Sequence, residues 1–337
     1  MKNLFEDLVK SKKKTSKGLI QAKKLKGYKG NIFLGKDELS NPMILLKNTS
    51  TSQTIPSPTQ LENIEILHHR KCSIEAQISK SSKTKTQSGF FTIIKLTSKE
   101  DQLKEIFFKI IETAVKGIIL PSECILINKN LQALIDLFRS MNQSKIKESM
   151  GLWSELMLID LANNTEQMIV YWHDQNNDLY DFSLNNNFIE VKSTKSNDRK
   201  HILSLEQAHN INRAASDNVI IASMLLQEDD SGLLLKDLKD RIAKKIKDPS
   251  IQLKFDGLYY MTLGNTWKEA SLTGFDESHA KKNLKFFDLK DIPKIDLSQK
   301  SISGVSNIKF TSNLDASEQI AKSKYKKISQ MYKIALN

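Results

Sequence analysis

Leu179-Tyr-Asp-Phe-Ser-Leu184, the turn Asn185-Asn-Asn187 and Phe188-Ile-Glu-Val-Lys-Ser-Thr-Lys195 form the stretch whose reading decides the fold. Its flanks are aromatic and β-branched, and asparagines tolerate the backbone angles of a tight turn, so the stretch predicts a β-hairpin. Alternate side chains of a strand share a face. Glu190 and Lys192 therefore project together, and Ile189 and Val191 point oppositely into a core. Asp181 has the opposite parity from Tyr180 and Phe182, and a suitable register brings its carboxylate beside Glu190. Two acids and a lysine are then expected on one small patch.

An Asp on one strand followed by Glu-x-Lys on the next resembles the signature of the PD-(D/E)XK nuclease superfamily. Tyr180 replaces the proline of that pattern, which carries no chemistry. Three neighbouring features point the same way. In Gly151-Leu-Trp-Ser-Glu-Leu-Met-Leu158, helical spacing puts Glu155 beside an apolar face. It is either a boundary glutamate whose head reaches water or, as the resemblance implies, an acid aimed at a metal or at Lys192. The order of elements is the second feature: the Glu155 helix, Met168–His173 as a strand, the hairpin, a helix opening at Ser204-Leu-Glu-Gln207, and the nearly continuous apolar run Asn218–Leu226 as a strand covered on both faces. Gln207 is the third. It matches a glutamine found after Glu-x-Lys in RecB-like and resolvase-like branches, and Ser204-x-x-Gln207 is equally a capping box. Both roles can hold at once.

The chain resembles more closely a bacterial group of PD-(D/E)XK family members found among restriction and phage-defence genes. The matching segments are Gly151–Leu156, Asp181-Phe182, Ile189–Thr194, Ser204–Gln207 and Phe287–Pro293. The fold class expected is α/β, α+β overall: a restriction-endonuclease-like core of helix, three strands, helix and strand, with an N-terminal α+β module and a C-terminal cap. The divisions are a basic arm over 1–30, the module over 31–142, the nuclease core over 143–250, and the cap with a final helix over 251–337.

Composition agrees with an intracellular protein that meets a polyanion. The 337 residues are 39% hydrophobic and 27% charged, a globular balance long enough for two or three cores. The net charge of +12 favours a partner such as DNA. Much of it is local, with ten lysines between Lys2 and Lys29 against Glu6 and Asp7. That arm either lies along phosphates or is a solvated tail. Cys72 and Cys124 are too few for a disulfide framework or zinc knuckle, and a reducing, cytoplasmic setting fits. No apolar run approaches the roughly 18 residues of a membrane span, and the start lacks the apolar core of a secretory signal. The histidines, His173 and His201 among them, show no metal-ligand spacing with Cys or another His. Lys200 and His201 are candidates for touching DNA.

Elsewhere the sequence carries less chemistry. Gly30-Asn-Ile-Phe-Leu-Gly35-Lys36 has P-loop spacing, but Asp37 stands where Ser or Thr must hold magnesium, and Ile32–Leu34 reads as a strand. Residues 31–97 read as short strands separated by loops 49–60 and 79–88, the second carrying Lys80, Lys83 and Lys85. Helices follow near 100–116 and 129–141. An amphipathic helix over Leu233–Ile246 ends in Arg241, Lys244, Lys245 and Lys247, suited to its dipole and to DNA. Residues 255–310 suggest a small cap. A last helix near 317–335 carries an apolar stripe of Ile328, Met331, Tyr332 and Ala335, read as docked core.

The resemblance implies hydrolysis of phosphodiesters by a DNA endonuclease with Mg2+, or Mn2+ in its place. Asp181 and Glu190 would be metal ligands together with the Val191 carbonyl, and Glu155 would hold a second metal. Lys192 would orient or help deprotonate the attacking water and offset transition-state charge. Double-strand cutting by one such centre requires a homodimer or sequential nicks. The competing reading keeps the same fold as a DNA-binding or scaffold subunit of a defence complex that does not cut.

Overall fold

The computed structural model describes residues 1–10, 19–28, 31–61, 63–77, 84–116, 118–140, 149–173, 179–209, 217–296 and 307–336. The lysines within 11–18, Lys29, Lys80, Lys83 and the side chain of Lys85 lie outside the described set. Contacts group the chain into two units, Met1–Gln143 with Gln252–Met261, and Ser144–Ile251 with Thr262–Asn337. No helix among the described residues is long and apolar enough to cross a membrane.

In the first unit the order is α1 (Lys2–Lys10), β1 (Leu19–Lys24), β2 (Ile32–Lys36), β3 (Pro42–Lys47), β4 (Thr59–Gln60), β5 (Ile64–Gln77), β6 (Thr84–Leu96), α2 (Asp101–Lys116) and α3 (Cys124–Ser140). The strands pair in the order β1-β2-β3-β6-β5-β4, and β1 returns to pair in parallel with β5, so the sheet closes on itself. Closure removes the free edges that invite aggregation. Ala22, Phe33, Leu45, Ile74 and Phe91 pack together as one apolar cluster of this sheet.

Two expectations change in this unit. Residues 64–67 and 72–77 belong to one long strand that passes a register shift between Leu67 and Arg70, where His69 takes φ 51°. The polar run His68–Lys71 hides that continuity, because a bulge breaks the alternation a strand is recognised by. The start of the chain is not simply an arm: α1 buries Phe5 and Leu8, and the Phe5 ring lies 5.4 Å from that of Phe108. Lys36, the lysine of the P-loop look-alike, ends β2 and donates to the Leu8 carbonyl at 3.0 Å.

The second unit begins with α4 (Ser149–Leu161) and α5 (Thr165–Tyr171), then β7 (Phe182–Leu184), β8 (Asn187–Thr194), β9 (Lys200–Ser204), α6 (Leu205–His209), β10 (Asn218–Leu225), β11 (Glu228–Leu234) and α7 (Leu235–Ala243). After α8 (Pro249–Leu263), most of which belongs to the first unit, come α9 (Trp267–Ala270), β12 (Gly274–Phe275), α10 (Glu277–Lys282), β13 (Lys285–Asp288), β14 (Lys309–Asn313), α11 (Lys322–Tyr325) and α12 (Gln330–Ala335). The central sheet runs β13-β10-β8-β7, with β8 and β10 parallel and the outer pairs antiparallel.

The hairpin forms as read. Leu184 pairs with Asn187 across Asn185-Asn186, and Asn185 takes the left-handed φ of 54° that asparagine tolerates. β10 is buried almost throughout, as expected of a strand covered on both faces.

Met168–His173 is not a strand. Most of it belongs to α5, whose N-cap Asn164 accepts from the Gln167 N–H, and whose buried Thr165, Met168 and Ile169 recur at helical spacing, with the buried Trp172 following as its extended C-cap. Three strands do separate α4 and α5 from α6, but the third, β9, leaves the central sheet and pairs with β14. Residues 255–310 are more than a cap, because β13 supplies the edge strand beside β10, with Phe287 opposite Ile221. The final helix breaks into α11 and α12 where Ser329 caps the second. Its stripe is docked as expected: Met331, Tyr332 and Ala335 are buried, and the Tyr332 hydroxyl bonds the Phe188 backbone and the Asn218 carbonyl, while Ile328 stays exposed.

Candidate active site

Along one face of β8 the side chains change from apolar to charged. Phe188 belongs to a core cluster with Val219, Ile221 and Phe287; Glu190 follows, only 5% exposed; Lys192 stands beyond it, opposite Ser223. The strand's period of two sets this line, as the sequence predicts. Lys192 Nζ lies 2.7 Å from Glu190 Oε1. The same oxygen accepts from Gln207 Nε2 at 2.9 Å.

Gln207 holds both of the roles left open for it. Its Oε1 accepts from the Ser204 N–H at 3.3 Å while Ser204 Oγ accepts from the Gln207 N–H at 3.1 Å, closing a capping box at the start of α6. Its amide nitrogen meanwhile reaches Glu190 and the Leu179 carbonyl.

Asp181 sits just before β7, where Phe182 pairs with Ile189, and its Oδ2 accepts from the Val191 N–H at 2.6 Å. That bond holds Val191's backbone against the acid. Glu155 projects from α4, and its Oε2 accepts from Trp172 Nε1 at 2.7 Å and meets His173 Nε2 at 3.2 Å. Its head is thus held by neighbours at the end of α5. A ring nitrogen of His173 and one carboxylate oxygen each from Glu155 and Asp181 lie within 4.8 Å of one another. Trp172 and His173 were missed because their segment reads as a strand. Treating Asn164-Thr-Glu as a helix start is the signal that would have placed both near Glu155.

Three carboxylates here face one lysine, and the proton affinities of Asp181 and Glu190 record the excess. Burial pushes Asp181 well above the usual carboxylate range, and the charges of Glu190 and Glu155 push it further; the Val191 N–H and Lys192 offset only part. Glu190 is also raised by burial, against the opposing pull of Lys192 and Gln207. For Lys192, burial alone would favour the neutral amine, but Glu190 first, then Asp181 and Glu155, raise it. Lys192 remains an ammonium.

Beside Lys192 lies a second buried polar group. Arg199, 1% exposed, donates to the Ser223 carbonyl at 2.8 Å and to the Asn283 carbonyl at 2.6 Å, and Ser223 Oγ lies 2.8 Å from His201 Nε2. His201 therefore does not face DNA. Burial, with the charges of Lys192 and Arg199, lowers it to about 4, so it is neutral. Lys200 is exposed and paired with Asp198 at 2.8 Å. Two of the four basic residues read at the end of α7 are committed elsewhere: Arg241 bonds Asp160 at 2.8 Å and Glu277 at 3.1 Å, and Lys245 bonds Asp160 at 2.8 Å, while Lys244 and Lys247 are exposed.

The family model described as "Putative PD-(D/E)XK family member, (DUF4420)" matches residues 1–315 of the chain. No curated protein and no solved structure matches it.

Proposed function

Because the chain belongs to that PD-(D/E)XK family, a nuclease-like family, we propose that it is a metal-dependent DNA endonuclease acting in restriction or phage defence. The observation that carries this reading is the buried Glu190–Lys192 pair at 2.7 Å with the Asp181 carboxylate on the adjoining Val191 N–H. An acid, a second acid and an ammonium converge where an ordinary core would be apolar.

The donor set fits a hard divalent cation such as Mg2+ or Mn2+. Asp181, Glu190 and Glu155 offer carboxylate oxygens, the ligand type these ions prefer, and the Val191 carbonyl is the backbone ligand in this reading. Fit is also supported by the raised proton affinities of Asp181 and Glu190, since a doubly positive ion relieves the repulsion that a proton otherwise relieves. When bound, such an ion polarises a phosphoryl oxygen and makes a bound water more acidic.

The chain's own groups supply the rest. Lys192 keeps its proton at Nζ and so acts as a donor, orienting the attacking water and offsetting the charge that grows on the phosphate oxygens. Gln207 holds Glu190 Oε1 in place, and Trp172 fixes Glu155, so neither acid must be reoriented when a phosphodiester arrives.

Incubating plasmid DNA with Mg2+ or Mn2+ and comparing wild type with Asp181→Ala and Lys192→Ala tests the reading. Cleavage by wild type that both substitutions abolish is the expected result. Cleavage unaffected by either overturns it, and no cleavage with salt-sensitive DNA retention favours a binding subunit. Restriction of phage growth by wild type but not by Asp181→Ala tests the defence role.

A further inference from the structure

The imidazole of His173 is the side chain in this centre that neither the signature nor its spacing accounts for. Among the described residues, Glu155, His173 and Asp181 are the group of three acid, histidine or cysteine side chains whose ligand atoms come within 4.8 Å of one another. Glu190 is placed differently, because its Oε1 already carries Lys192 and Gln207. The tightest nest of metal-binding atoms is therefore one nitrogen and two carboxylates.

We propose that His173 is a direct metal ligand, with Glu155 and Asp181, and that its nitrogen biases the centre toward Mn2+ over Mg2+. The argument rests on the metal-dependent reading above and deepens it. Magnesium holds oxygen ligands and water and gains little from an imidazole, whereas first-row transition ions accept imidazole readily. Trp172 supports the arrangement. Its indole N–H bonds Glu155 Oε2, the oxygen nearest His173 Nε2, and the two residues are chain neighbours at the end of α5. The ring and the acid are thus held by the same helix end.

The simpler account is a histidine that only donates a hydrogen bond to Glu155. His173→Gln separates the two, since a glutamine amide still donates but offers no imidazole nitrogen. The full chain is loaded with Mn2+ alone and with Mg2+ alone, and affinities are measured by calorimetry and by Mn2+ electron paramagnetic resonance, including the nitrogen coupling of the bound ion. His173→Gln, His173→Ala and Asp181→Ala are compared with wild type, with thermal unfolding as the check on folding.

The expected result is nitrogen coupling in wild type that is lost in folded His173→Gln, with Mn2+ affinity falling about 10-fold or more and Mg2+ affinity falling less. An unchanged Mn2+ to Mg2+ preference, or no nitrogen coupling in wild type, overturns the inference. If Asp181→Ala alone abolishes ion binding, the metal-dependent reading stands while this one falls. If wild type binds neither ion, both fall.

Discussion

Two clusters of charged side chains lie in the second unit, and they are built on opposite plans. Around Asp160, two acids meet three bases: Arg241 bridges Asp160 and Glu277, Lys245 returns to Asp160, and Lys281 bonds Glu277. Although burial works against it, hydrogen bonds from Arg241 and Lys281 hold Glu277 below its usual proton affinity. Around Asp181, three acids share one lysine, and Asp181 and Glu190 are raised. A cluster whose bases at least match its acids is satisfied by the chain itself, and this one joins α4, α7 and α10. One with more acids than bases is stable only with something positive from outside, which is why the second is read as a site and the first as scaffolding.

The comparison breaks most sharply at catalysis. Asp181→Ala and Lys192→Ala are expected to lower cleavage by at least about 100-fold, while Asp160→Ala leaves the rate per folded molecule unchanged. Loss of cutting in all three equally would erase the distinction.

Proton linkage gives the next effect. Unfolded carboxylates titrate near about 4, and Asp181 and Glu190 are raised in the folded protein. Between those values the native state binds more protons, so without metal its stability falls as pH rises through that window. Asp181→Asn should flatten that fall and raise the stability at neutral pH, by about 1.4 kcal/mol for each unit of upward displacement removed. Scanning calorimetry with a chelator from acid to neutral pH reads this, and adding a divalent cation to wild type should flatten the fall likewise.

For the Asp160 cluster the sign reverses. Asp160→Ala should cost about 2 kcal/mol, because it strips charged hydrogen bonds from Arg241 and Lys245. Denaturant unfolding measures it. The smallest change is expected from Gln207→Ala, which removes one arm of the capping box for about 1 kcal/mol and also releases Glu190; a fall in cleavage larger than the stability loss explains would show that the tie to Glu190 matters.

Much of the site was legible because it depends on strand periodicity and one turn. Asp181, Glu190 and Lys192 needed only the hairpin, and Asn185 supplies the backbone angle that closes it. Gln207 was legible because a capping box is a local pattern. His173 and Trp172 were not, since a run of large apolar residues suits a strand and a buried helix equally, and the deciding residue, Asn164, lies before the run. Pairings distant in sequence were hidden for another reason. Nothing near Phe286-Phe287 states that it borders β10, and nothing near Leu19 states that it closes a sheet with Ser73.

The Tyr332 hydroxyl bonds the backbone of Phe188, a partner 144 positions earlier, and of Asn218, at the ends where β8 and β10 begin. During synthesis, which delivers the N-terminus first, these two strands leave the ribosome before β13 and before that tyrosine. A partly made chain thus carries the acids and the lysine without the residues that clamp their strands together, and the centre is braced only once Tyr332 has followed them.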